Sequence, residues 1–357
     1  MTTRQRLDLL TRAYPLLFPR AGLERLLREQ LGSIDALDQW ISREGTRGRA
    51  RAPALIYHVC AGNLAVSAWT SLAHGLLLGA RNSVKLPGER EDSRARGEIL
   101  KFIRGLPAPL RRLIKTQDTL DAALLAEAEV IVAFGSDATM ESLRARTRWN
   151  QKFIGHGHAL SLLWIEEPNR LTPRLARACA TDVLTYDQLG CLSPQAIYVP
   201  NGTKMDLLGT KLAAALEIEW RAIQPKPRRP LAVAARISEA RDLAFARGQR
   251  VWLPPTEHLG WTVIDDGAPD FHPSPLHGTI FLRQAARARL PQALAPVKGR
   301  ISTVGFAGKA SPEMEDLFLS LGASRFCPAA RMQFPPLTWH HDGRPTLADL
   351  VTWIDST

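Results

Sequence analysis

The stretch "LIYHVCAGNLAVSAWTSLAHGLLLGARNSVKLP", residues 55–87, decides the fold. It opens on "LIYHVC", a short apolar run rich in β-branched and aromatic residues, which reads as a buried strand. After the small and polar "CAGN", residues 64–80 carry apolar side chains at helical spacing, and "NSVKLP" closes the stretch as a second strand. The alternation continues with helix "SRARGEILKFI", strand "EVIVAF", helix "DATMESLRAR" and strand "KFIGHG". Strands alternating with helices in this way predict right-handed crossovers and a parallel sheet covered on both faces.

Ligands of such sheets lie beyond the carboxyl ends of the strands. The segments expected there are "CAGN" (60–63), "KLPGER" (85–90), "FGSDAT" (134–139) and "GHGH" (155–158), each small or polar where a βα loop should be. Glycine allows close backbone approach, and an adjacent helix N-terminus offers unpaired N–H groups to an anion. No complete G-x-G-x-x-G occurs, and "GFAGKA" has the wrong spacing for a P-loop. A dinucleotide would have to be held another way.

Outward from this core, Leu7, Leu9 and Leu10, then Leu23, Leu26, Leu27 and Leu31, mark two N-terminal helices. Beyond Pro173 a helix precedes "TYDQLGCLSPQAIYV" (185–199), where Cys191 stands between a glycine and a Leu-Ser-Pro turn ahead of an apolar strand. A long helix, 204–223, then runs into the proline-rich "QPKPRRP". "GAPDFHPSPLHG" (267–278) reads as a long loop before the strand "TIFLR", "RISTVGFAG" as a further strand, and the tail "GRPTLADLVTWID" as a short capped helix.

At 357 residues, 45% hydrophobic and 23% charged, the chain can form two lobes around separate cores. The N-terminus lacks the continuous apolar region of a secretory signal, so a cytoplasmic location is expected. The longest apolar tract, 64–80, is interrupted by Ser67, Thr70, Ser71 and His74 and falls short of the roughly 20 residues of a membrane span. Cys60, Cys179, Cys191 and Cys327 are far apart, without the paired Cys or His spacing of a zinc site, so no metal is expected. The net charge of +11 raises nucleic acid as a partner. Against that, the arginines are dispersed through helices without interleaved aromatics or a recognition motif, and such a surface equally attracts anionic small molecules or an acidic carrier protein.

"YDQLGCLSPQAIYV", "CAGNLAVSAWTSLAHGLLLGARNSVKLP", "FGSDATM" and "HDGRPTLADLVTWID" together resemble the LuxC-type acyl-CoA reductases, the fatty-acid reductase branch of the aldehyde dehydrogenase superfamily. The resemblance is dense over 55–199 and thin beyond. It implies an aldehyde-dehydrogenase-like α/β fold, with a Rossmann-like parallel-sheet cofactor lobe and a smaller α/β catalytic lobe. Residues 1–175 are then the nucleotide-cofactor-binding domain, with 328–357 returning to it, and 176–327 the catalytic domain. It also implies NADPH-dependent reduction of an acyl thioester, carried by coenzyme A or an acyl carrier protein, to the aldehyde through an acyl-cysteine. A homodimer is possible, although the chain is short for the superfamily.

By this resemblance Cys191 is the nucleophile, and Asn63 with the Cys191 amide forms the oxyanion hole; on its residues alone Asn63 equally suits a helix N-cap. Lys85 matches the lysine that contacts the adenosine ribose. Gly88 takes the third position after it, followed by Glu89 and Arg90, an arrangement leaning toward NADPH. Gly135 and Ser136 match the Gly-Ser turn beside the cofactor phosphates. Gly155 stands where hydrolytic relatives usually carry a glutamate base, and His156 or His158 could serve as the acid. Two other readings are an acyl-cysteine thioesterase or acyltransferase without nucleotide, and a non-catalytic basic binding protein.

Overall fold

The computed structural model describes every residue except Glu44, 89–93, Glu257 and Thr357. The chain divides into two compact units, Met1–His158 with Pro336–Thr357, and Ala159–Pro335. The change comes one strand ahead of the expected 175/176 boundary because the strand Leu160–Ile165 is hydrogen-bonded into the second unit's sheet. The C-terminal return starts at 336, later than the expected 328.

In order, the first unit contains α1 (Thr3–Ala13), α2 (Arg20–Leu31), β1 (Ile41–Arg43), β2 (Thr46–Arg51), β3 (Leu55–Val59), α3 (Val66–Leu78), β4 (Arg81–Lys85), α4 (Arg94–Gly105), α5 (Ala108–Arg111), β5 (Ile114–Gln117), α6 (Ala122–Glu127), β6 (Val130–Phe134), α7 (Asp137–Arg144) and β7 (Lys152–His156). Its main sheet runs β5-β4-β3-β6-β7, all parallel. The period of two along the strands builds two cores. Ile56, Val84, Val130 and Val132 join α1, α2 and α3 on one face, whereas Tyr57, Ile131 and Ala133 join Leu125 and Leu143 on the other. Burying each leucine of the first core, Leu23, Leu26 and Leu27 among them, contributes about 1.5–3 kcal/mol.

Polar residues also lock α3 to the sheet. His58 on β3 lies 2.8 Å from Ser71 Oγ and 2.9 Å from Asn82 Oδ1. The Asn82 amide donates to Ala80 O, so Oδ1 faces the imidazole and His58 Nε2–H donates to it, while Nδ1 accepts from Ser71. A neutral ring satisfies both bonds. Gly75 makes the approach possible, since a Cβ there would stand 1.9 Å from Asn82 Oδ1.

The second unit follows with β8 (Leu160–Ile165), α8 (Pro173–Leu184), β9 (Pro194–Val199), α9 (Met205–Ala222), α10 (Leu231–Ala246), β10 (Val251–Trp252), β11 (Thr262–Asp265), β12 (Thr279–Gln284), α11 (Leu290–Ala293), β13 (Ile301–Ala307), α12 (Pro312–Ser320) and β14 (Phe326–Pro328). Its sheet runs β10-β11-β12-β9-β8-β13-β14, parallel except for β10. α8 and α9 cover one face, and α11 and α12 contribute to the core on the other.

The tail departs from expectation. "GRPTLADLVTWID" is not a helix: after one tight turn at Ala348–Leu350 it extends as β15 (Thr352–Ser356), antiparallel to β2 in a small sheet with β1. The three-to-four spacing of Leu347, Leu350 and Val351 imitates a helix, but these side chains enter the first unit's core from an irregular segment. Pairing with β2 overrides local propensity.

Candidate active site

In the first unit the chain leaves β3 in one direction, toward β4 and β5, and returns on the other side at β6 and β7. The strand order reverses between β3 and β6, and the crevice outside their carboxyl ends is where a parallel sheet of this kind binds ligands. Asn63 follows β3, Gly135 and Ser136 follow β6, Lys85 ends β4 and His156 ends β7. These residues, with Gly88 and His158, therefore share one edge of one sheet.

Asn63 is exposed and lies ahead of α3, whose cap is Ala65 without a side-chain hydrogen bond. The structure thus places the cap position two residues beyond Asn63. Gly62 approaches the loop after β4, with 3.7 Å between a Cβ placed there and Pro87 Cβ. Lys85 is half-buried, and the Cys60 N–H donates to its carbonyl. Nearby, Arg96 donates to Pro87 O at 3.1 Å and to Asp118 at 2.6 Å, tying the loops after β4 and β5. Gly88 is exposed, and a Cβ there would meet nothing within 4 Å. Glu89 and Arg90 lie outside the described residues.

Ser136 caps α7, its hydroxyl accepting from Thr139 N at 3.2 Å. A phosphate at this turn would be met by main-chain N–H groups rather than by the hydroxyl. Asp137 accepts from the His158 N–H at 2.8 Å, which fastens the loop after β7 to the start of α7. Gly155 is closely approached by side chains: a Cβ would lie 2.7 Å from Phe153 Cε1 and 3.0 Å from Met140 Sδ, so either side chain would have to shift to admit one.

The two candidate histidines are in different settings. His158 is exposed. His156 Nδ1 donates to Asp342 Oδ2 at 2.7 Å, and its ring packs against Phe134 (centroids 4.8 Å apart) and against His341 (4.1 Å), which are 6.0 Å from each other; His341 stacks in turn on Trp339. Burial and the neighbouring His156 push His341 down to about 4. The ligand atoms of His156, His341 and Asp342 lie within 4.8 Å of one another, the one such group among the described residues. Two imidazoles only 21° from parallel direct their in-plane lone pairs along separate planes, not toward a common ion. A ring stack held by one hydrogen-bonded carboxylate describes the cluster better.

Cys191 belongs to the second unit, in the turn just ahead of β9. The residues before it have an unusual backbone: Tyr186, Asp187 and Gln188 are left-handed, with φ of 54°, 55° and 61°. Each such residue costs about 1–2 kcal/mol for an L-amino acid, and strain of this kind persists only where surroundings over-determine it. Here they do. Asp187 accepts a bidentate pair from Arg229 at 2.7 and 2.8 Å and a third bond from His277 Nδ1 at 2.5 Å. The wholly buried Gln188 donates to Pro194 O and Thr279 O and accepts from Gly278 N. Beyond the turn, Ser161 Oγ on β8 donates to the Cys191 carbonyl at 2.7 Å, and Gln333 donates to Ser193 Oγ.

Cys191 is half-buried. Burial pushes Cys60 and Cys179 up to about 12 and Cys327 to about 11, so these three are protonated and inert at neutral pH. Arg229, His277 and the Asp187 hub were not anticipated from sequence. Arg229 lies in the proline-rich stretch and His277 in the long loop, 42 and 90 residues from Asp187, and no local pattern marks them.

Residues 2–353 match the family model described as acyl-CoA reductase (LuxC). The chain is 26% identical over 349 residues to a long-chain acyl-protein thioester reductase of Photorhabdus luminescens, covering 95% of this chain and 71% of that protein. It is 22% identical over 351 residues to the protein of the same name from Aliivibrio fischeri, with 95% and 71% covered. Among solved structures it resembles an NADP-dependent glyceraldehyde-3-phosphate dehydrogenase from Bacillus halodurans in complex with NADP (TM-score 0.72, 13% identity, 100% of this chain and 87% of that one). Lactaldehyde dehydrogenase from Escherichia coli is similar too (TM-score 0.68, 15% identity, 100% and 87%). The fold is that of the aldehyde dehydrogenases. No helix among the described residues is long and apolar enough to cross a membrane.

Proposed function

The chain belongs to the acyl-CoA reductase (LuxC) family and is an aldehyde-forming oxidoreductase, and from that premise we propose that it reduces an acyl thioester with NADPH through an acyl group held on Cys191. The observation that carries the reading is the contrast among the thiols. Cys60 and Cys179 are enclosed and burial also raises Cys327 to about 11, whereas Cys191, half-buried like Cys327, stands in a strained turn fixed by neighbouring loops.

The carboxyl edge of the first unit's sheet suits a dinucleotide, with a reversal of strand order between β3 and β6 and a helix N-terminus at Ser136. Lys85 would hold the adenosine ribose, and the N–H groups at the start of α7 a phosphate. Gly88 leaves no carboxylate at its position to repel a 2′-phosphate. When bound there, the nicotinamide supplies the hydride that makes the acyl carbonyl carbon an aldehyde carbon.

The chain's own residues do the rest. The Cys191 thiolate attacks the thioester carbonyl carbon; its C–S bond forms as the bond to the donor sulfur breaks, and the donor leaves as a thiol after taking up a proton. The Asn63 amide and the Cys191 N–H stabilise the oxyanion, a contribution of roughly 100- to 1,000-fold per donor. His156 or His158 supplies the proton. Gly155 leaves that position without a carboxylate to activate water, which spares the acyl-enzyme from hydrolysis. Loss of the aldehyde restores the Cys191 thiolate. The donor is acyl-CoA or an acyl carrier protein, and the names of the relatives favour a protein-bound acyl group.

Incubation with an acyl thioester and NADPH, followed by NADPH absorbance, is expected to show oxidation that Cys191→Ala abolishes. Activity surviving that substitution overturns the mechanism, and thiol release without NADPH oxidation points instead to a thioesterase or acyltransferase.

A further inference from the structure

We propose that Asp187 is a positioning residue for Cys191: its carboxylate joins three separate loops and sets the course of the main chain into the nucleophile. The inference rests on the reading of Cys191 as the acylated residue.

Three segments without periodic pattern meet at this carboxylate. Tyr186–Gln188 arrives from the end of α8, Arg229 from the proline-rich stretch between α9 and α10, and His277 from the long loop before β12. His277 is itself left-handed, as are Leu276 and Gly278, with φ of 56°, 67° and 80°. Two left-handed runs therefore face each other and are fastened twice, by Asp187 to His277 and by Gln188 to the Gly278 N–H. Arg229 is anchored in turn, its Nε donating to Leu259 O at 3.1 Å. Asp187 and Arg229 are 15% and 12% exposed, so the pair is shielded and geometrically defined by its bidentate contact.

The consequence passes along four residues of chain. With 186–188 held left-handed, the Leu189 N–H reaches back to Tyr186 O, and the Ser193 N–H reaches Gly190 O across the turn that contains Cys191. Ser161 holds the Cys191 carbonyl from the other side. The course of the main chain at Cys191, and with it the direction in which its Cα–Cβ bond leaves the turn, is thus set between the Asp187 hub and the Ser161 contact. Removing the carboxylate frees the strained run to relax toward ordinary backbone angles. That reorients the nucleophile while the core, built from other residues, stays intact.

The test compares Asp187→Ala and Asp187→Asn with the parent protein. Readouts are single-turnover acylation of Cys191 by an acyl-CoA, iodoacetamide labelling of Cys191 followed by peptide mass spectrometry, and the thermal midpoint. Asp187→Ala is expected to slow acylation at least tenfold through kcat with the KM for NADPH unchanged, to change the rate of iodoacetamide labelling of Cys191, and to lower the thermal midpoint because Arg229 loses its carboxylate in a shielded site. Asp187→Asn, which keeps an acceptor toward Arg229, should recover part of the rate. Parental acylation in folded Asp187→Ala overturns the proposal, as does a labelling rate of Cys191 by iodoacetamide that is unchanged from the parent's. Should Asp187→Ala fail to fold, His277→Ala leaves the Arg229 pair in place; a smaller slowing is expected, and a parental rate overturns the proposal. Full activity of Cys191→Ala refutes the underlying mechanism instead, whereas dependence on Cys191 with indifference to Asp187 refutes this inference alone.

Discussion

Acidification should loosen the first unit through His58, and the size of the effect follows from its surroundings. The imidazole is wholly enclosed between Ser71 on α3 and Asn82 on β4, and burial lowers it from 6.5 to about 4. Between those values the unfolded chain binds a proton that the folded one refuses, so stability is complete above pH 6.5 and is lost as pH falls toward 4. At pH 5 proton binding by this ring shifts the equilibrium toward the unfolded state about 30-fold, which amounts to about 2 kcal/mol; at pH 4 the loss is about 3 kcal/mol. His74 and His341, also pushed to about 4 by burial, act in the same direction, so the unit as a whole loses more. In His58→Gln the amide can bond to both Ser71 and Asn82 without titrating. Hydrogen exchange of peptides from 55–85, measured at pH 7 and pH 5 and corrected for intrinsic rate, is expected to show a drop in opening free energy about 2 kcal/mol smaller in the variant. An identical drop in both proteins would refute the assignment of His58 as an acid-sensitive brace. The functional consequence is specific, because β3 and β4 carry Asn63 and Lys85 at their ends, and cofactor affinity should fall over the same pH range.

Other consequences of the packing are as direct. Gly75→Ala puts a methyl group where Asn82 Oδ1 lies, so it should break the His58–Asn82 bond and destabilise the first unit by about 2–4 kcal/mol in urea unfolding. Asp182 has the opposite pH sign to His58. Burial raises it from 3.8 to about 7 although the Ala330 and Met332 N–H groups bond to it, so its contribution is full below pH 3.8 and is lost as pH rises through 7. Asp182→Asn should flatten the pH dependence of the second unit between pH 4 and 7 by about 3 kcal/mol, read from exchange of peptides in α8. Iodoacetamide at pH 7 should label Cys191 well before Cys60, Cys179 or Cys327, and peptide mapping that finds Cys60 or Cys179 labelled first would contradict the burial of those thiols.

Much of the first unit was legible because its signals are local. "LIYHV", "VIVAF" and "KFIGH" are short apolar runs between helical repeats, and they became β3, β6 and β7 in a parallel sheet. The loops at their carboxyl ends were legible for the same reason. The short strand Ile114–Gln117 was not, because "IKTQ" has no apolar pattern and owes its state to pairing with β4. The tail failed for a related reason, since β15 exists only because β2 lies beside it. In the second unit, sequence pointed to Cys191 through its neighbours in the chain but not to Asp187, whose partners are brought to it only by folding.

That difference bears on how the turn around Cys191 can change. Loop residues that are chosen only for solubility tolerate substitution, whereas a carboxylate shared by Arg229 and His277 must keep both partners or lose its geometry. The proline-rich stretch and the "GAPDFHPSPLHG" loop, which in sequence look like spacers, each deliver one side chain to one carboxylate. Their irregular backbone is therefore part of the turn that holds Cys191. Insertions in either loop that displace Arg229 or His277 should act on the reactivity of Cys191, although neither loop adjoins it in the chain. The strained left-handed run ahead of the cysteine persists because three regions hold it, and the same strain makes the position of the sulfur sensitive to all three.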